Sequence, residues 1–173
     1  KLKNTLIACT TILFVSCSGQ KEIKMGTYAY DARFLKEHGI EYKELVSADG
    51  NSKVMLIPAW QGRVMTTSAS GDEGDSYGWI NYRFINEGKV STQFNPVGGE
   101  ERFWLGPEGG PFSLYFKEGQ EQVYDNWVVP AVLDTEAFDI KSQSDNSIRF
   151  VKDTRLENAS GTIFNMNIDR TVS

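Results

Sequence analysis

Between Gly98 and Phe116 the chain sets three carboxylates (Glu100, Glu101, Glu108), one guanidinium (Arg102) and one indole (Trp104) among five glycines and two prolines. Glycine permits positive φ and close backbone approach, whereas Pro107 and Pro111 fix φ and withhold an N–H. The backbone here is therefore shaped and partly rigid, and it holds charged and aromatic groups in place. Two uses fit such a segment: a recognition surface, or a glycine-rich connection between sheets with its charges turned to water. Arg102 either contacts a ligand or neutralises Glu100, Glu101 or Glu108 in a network that stiffens the loop. Glu108, between proline and glycine, is the carboxylate least suited to plain solvation. Glu100 and Glu101 are adjacent, so an extended backbone sends them to opposite faces and they do not make a close acid/base pair. The sequence has no phosphate-cradling loop, no nucleophile elbow and no Cys/His metal spacing, and no cofactor or metal is expected. Acidic spacing between Gly71 and Tyr82 suggests calcium, but its glycine and glutamate are out of register with an EF-hand loop. A solvated loop, or one that offers Trp79 and Asn81 to a ligand, fits better.

The elements that must position these groups read as β-strands. With 173 residues, 40% of them apolar and 12% aromatic, the chain can bury a globular core. A net charge of −5, a pI near 5.0 and the lack of any basic run exclude a nucleic-acid surface. Tyr30 to His38 reads as a short helix closed by Gly39, and His38, the only histidine, suits a capping role in its last turn. Strands are expected over Tyr42–Ala48, Lys53–Ile57 and Arg63–Ala69, with Asp49-Gly50-Asn51-Ser52 as a hairpin turn. Trp79–Asn86 suits a second short helix ending at Gly88. Phe112–Phe116, Phe138–Gln143, Ser147–Lys152 and Thr162–Val172 complete the strand set, with one face of the last buried. Trp127 to Pro130 suits an edge or a loop. Many short strands and two short helices predict a mainly β fold, an all-β sandwich.

At the N-terminus, Lys1 and Lys3 precede an apolar run, Leu6 to Val15, that is shorter than the ~20 residues a permanent span needs. The order Leu13-Phe14-Val15-Ser16-Cys17-Ser18-Gly19 resembles a bacterial lipobox, with a generic secretory signal as the alternative. The lipobox implies a signal peptide over residues 1–16, a lipid on Cys17, a tether over 17–26, and a domain over 27–173 held at a membrane of the cell envelope. With Cys9 removed and Cys17 acylated, the mature chain keeps no thiol for a disulfide. The chain starts without Met and stops while an alternating pattern is running, so it is expected to be the N-terminal part of a larger protein.

Three stretches, Pro58-Ala59-Trp60-Gln61-Gly62-Arg63-Val64-Met65-Thr66, Tyr77-Gly78-Trp79-Ile80-Asn81 and Gly98 to Gly110, resemble a family of uncharacterised Bacteroidota lipoproteins. That family is placed with the galactose mutarotase-like β-sandwich (supersandwich), of which this chain would be an incomplete, N-terminal portion. The resemblance implies a carbohydrate ligand, bound or processed in the manner of an aldose epimerase by the full-length protein. Mutarotases move protons with a histidine and a glutamate, but those residues come later in such chains, and His38 matches neither motif. No catalytic residue is carried over. Sugar binding calls for aromatic faces and planar polar groups, and the chain offers Trp60, Arg63, Trp79, Asn81, Glu100, Arg102, Trp104 and Glu108, with Gln61, Glu101 and Trp127 beside them. These groups are expected to share one hollow, although burial of at least two of the four tryptophans is the ordinary alternative. A non-catalytic module for glycan or another protein fits the same features.

Overall fold

The computed structural model describes residues 22–173, so the expected signal peptide, Cys17 and the first half of the tether lie outside the described residues. Helix α1 (Tyr28–Glu37) begins where the Thr27 hydroxyl accepts the Tyr30 N–H, and it ends at His38. Strands β1 (Lys43–Val46), β2 (Lys53–Ile57) and β3 (Arg63–Ser68) form an antiparallel sheet in chain order. Alternation sorts their side chains onto two faces. Met55, Ile57 and Met65 pack with Tyr28, Phe34 and Leu35 of α1, while Leu45, Leu56 and Val64 point the other way.

That second face meets a second antiparallel sheet, built from β4 (Asp139–Ser144), β5 (Ser147–Glu157) and β6 (Ile163–Val172), again in chain order. Ile148, Phe150 and Ile168 join Leu45, Leu56 and Val64 in one core with Tyr115, Phe116, Val132, Leu133 and Phe138. The sheets approach closely at Gly62, whose φ is +60° and on which a Cβ would lie 2.6 Å from the Phe150 ring. A glycine is required there twice over, by conformation and by space.

The fold is thus mainly β, with two three-stranded antiparallel sheets and few helices. Between Ala69 and Phe138 it is irregular, apart from helix α2 (Tyr82–Glu87) and two 3-10 turns, Tyr124–Asn126 and Ala131–Leu133. The strand expected over Phe112–Phe116 is absent. The Ser113 N–H turns back to the Gly110 carbonyl, the Ser113 hydroxyl accepts the Tyr115 N–H, and Tyr115 and Phe116 are buried side by side instead of alternating. Strand β4 departs differently, because all six of its residues are exposed. Among the described residues no helix is long and apolar enough to cross a membrane.

Candidate functional site

The eight residues singled out by type do not share a hollow. Arg63, on β3, is sealed at 1% exposure. Its guanidinium donates to the Gly98 carbonyl (2.5 Å) and to Gln61 Oε1 (3.0 Å). Burial pushes its pKa down to about 10; the nearby Arg102 adds to that shift and Asp134 opposes it. Arg102 is half-buried, donates to the Leu133 carbonyl, and lies over the Trp104 ring at 4.0 Å and the Phe94 ring at 5.3 Å. Each carboxylate considered as its partner is engaged elsewhere. Glu100 accepts from the Thr67 hydroxyl, Glu101 pairs with Arg170 of β6, and Glu108 accepts the Trp104 indole N–H at 2.8 Å.

The other aromatic and amide groups diverge. Trp60 packs against the α1 side of the first sheet, whereas Trp104 packs against the opposite core. Trp79 is 63% exposed on the open surface, beside the equally open Tyr77. Asn81 is the N-cap of α2, accepting the Phe84 N–H, while its amide donates to the Pro96 carbonyl. His38 caps α1, with Nδ1 on the Phe34 carbonyl and Nε2 on the Asn86 side chain, each at 2.7 Å. It lines a cleft of about 490 Å³ with Trp60 and Phe84.

What the loop of five glycines does build is a braced wall. Gln122 closes a two-way amide clasp on Gly110, accepting its N–H at 2.7 Å and donating to its carbonyl at 2.8 Å. The Tyr115 hydroxyl donates to the Leu105 carbonyl at 2.6 Å. Phe94 meets the Trp104 and Trp127 rings edge-on. From Tyr115 outward three rings stack: Tyr115 on Trp127 at 5.6 Å and 7°, then Trp127 on Tyr124 at 6.3 Å and 12°. The outermost, Tyr124, is 73% exposed.

Beside this stack a groove of about 700 Å³ runs between the 114–130 segment and the far end of β5. Its polar lining includes Gln120, Asp125, Asn126, Arg155 and Glu157, and Leu114, Val128 and Leu156 supply apolar floor. Amide, carboxylate and guanidinium planes over an apolar floor can hold a small polar ligand by paired hydrogen bonds. The size lies within the range of small-molecule sites. None of these residues was singled out by type and spacing. The run Gln120-Glu121-Gln122 followed by Tyr124-Asp125-Asn126-Trp127 carries the signal, but its opposite wall, Arg155 to Glu157, lies on a distant strand.

Residues 26–173 match a family described as a family of unknown function (DUF6786), and the chain belongs to it. Neither the curated proteins nor the solved structures gave a match.

Proposed function

We propose that this member of the family is a lipid-anchored protein of a bacterial cell envelope that binds carbohydrate. The binding place is the groove between the 114–130 segment and β5. One observation carries the reading: the groove gathers Gln120, Asp125, Asn126, Arg155 and Glu157 beside the open Tyr124–Trp127 stack. A pyranose presents the complement, vicinal hydroxyls for planar polar groups and an apolar C–H face for a ring. The anchor rests on the lipobox-like run ending at Cys17. The likeness to a galactose mutarotase-like sandwich rests on the motifs around Trp60, Trp79 and Gly98 and is supported by antiparallel sheets that share a core.

Binding is the activity assigned to the groove, and epimerase-like proton transfer is assigned to none of the described residues. That reaction needs an acid and a base across one sugar ring, and His38 serves α1 and lines a different cleft.

Titrating the isotope-labelled protein with a panel of mono- and oligosaccharides tests the proposal by NMR. Saturable shifts at Asn126 and Arg155 are expected, weakened about tenfold or more in Asn126→Ala and Arg155→Ala. Shifts with no sugar of the panel, or shifts that survive both substitutions unchanged, would sink it.

A further inference from the structure

The interior behind the glycine loop holds more hydrogen-bond donors than acceptors. Val64 of β3 and Glu101 form an antiparallel bridge, so Arg63 and Arg102 stand opposite one another on neighbouring backbones. Two like charges in that position repel unless something negative sits with them. The nearby carboxylate, Asp134, is buried and already held by Asn95, whose backbone N–H and side-chain amide reach Oδ2 at 3.0 and 2.7 Å. Asp134 interacts with both guanidiniums, Glu101 also with Arg63 and Glu108 also with Arg102, but of these three carboxylates only Asp134 is buried.

The donor count points the same way. Arg63 Nε, Arg102 Nε and Gln61 Nε2 are buried and find no acceptor among the described residues. Gln61 and Arg63 are 0% and 1% exposed, so bulk solvent does not serve them. They are also neighbours, because the Arg63 Nη2 donates to Gln61 Oε1 and its Nε–H lies along the same edge of the planar guanidinium. Gln61 takes the left-handed conformation, φ +61°, the only residue other than glycine with positive φ among those described.

We propose that the Gln61–Arg63–Arg102 cluster is a binding site for a small monovalent anion, either a free halide or a compact carboxylate, that supplies the missing acceptor and balances the second guanidinium. Entry is from the Arg102 side, where the guanidinium is half-buried beneath Trp104. Arg63 is too enclosed for a sugar ring to reach it. The site is separate from the groove along β5 and does not rest on carbohydrate binding there.

Crystals of the protein grown with sodium bromide test it by anomalous scattering, together with melting curves in chloride, acetate and the bulky gluconate at equal ionic strength. A bromide peak within hydrogen-bond distance of at least two of the three nitrogens is expected. A melting temperature higher by about 3–5 °C in chloride than in gluconate, at roughly ten times the dissociation constant, is expected with it. Stabilisation by acetate that displaces bromide would identify a carboxylate as the occupant. Gln61→Glu, which builds a carboxylate in place, should flatten the anion dependence, and Arg102→Met should abolish it. If Arg102→Met does not fold, the bromide map and Gln61→Glu decide. Ordered water at all three donors, with melting independent of the anion, would overturn the proposal.

Discussion

The interior cluster around Arg63 and Arg102 and the groove around Asn126 and Arg155 are made from the same side-chain types, yet one is closed and the other open. In the cluster, backbone carbonyls of Gly98 and Leu133 take up the guanidinium donors, and Phe94 and Trp104 cover Arg102. In the groove, Arg155 lies 4.0 Å from Glu157, and both side chains stay in solvent. The difference teaches that a guanidinium beside glycines is aimed by the backbone: a loop that passes close enough to offer its carbonyls converts an arginine from a contact into a brace.

The largest break in that contrast should come from Gly99. Its φ is +118°, and an added Cβ would sit 2.6 Å from Arg63 Cδ. Gly99→Ala is therefore expected to cost about 3 kcal/mol or more, from backbone strain plus displacement of a buried side chain. Gly109→Ala, where the nearest atom is the Gln122 amide oxygen at 3.8 Å, should stay within about 0.5 kcal/mol. Chemical denaturation of both variants checks the pair, and equal losses would mean the loop is not held against Arg63.

Acidity sharpens the comparison with a smaller effect. Burial raises the pKa of Asp134 above 3.8, with Asn95 and the two guanidiniums opposing, and burial likewise raises that of Asp31, which accepts from Ser76 and Tyr82. A carboxyl raised in the folded state binds its proton there before the unfolded chain does. These two groups thus weaken the fold at neutral pH, and their share of stability is recovered as pH falls through the raised values towards 3.8. Melting curves from pH 7 to 4 should lose part of that upward contribution in Asp31→Asn; an unchanged pH slope would count against it. Asp169, exposed and paired with Arg149, has a lowered pKa and runs the other way: its share is lost on acidification.

The smallest expected change is at the open surface. Trp79→Ala and Arg155→Ala should each alter stability by about 0.5 kcal/mol or less, since neither side chain is packed in a core. A large loss in thermal melting would show that the surface is covered in the folded protein.

Much of the regular structure was legible in the sequence. Lys53–Ile57, the turn at Asp49 to Ser52, the cap at His38 and the last strand follow from local periodicity and turn chemistry, which act over a few residues. Residues 112–116 were not legible, because their aromatics fill a core from an irregular backbone and no short pattern encodes that. The site was read least well. Trp, Arg and Glu types identified a special loop, but whether Arg63 faces water depends on where Gly98 and Leu133 place their carbonyls, and the groove's second wall comes from β5, remote in sequence.

Gly62 and Phe150 carry one more lesson. The ring of one sheet rests where the other has no side chain, so its thickness sets the spacing of the layers at that point. The two positions therefore share one steric allotment: bulk gained at residue 62 must be surrendered at residue 150, and neither can grow alone without prising the layers apart.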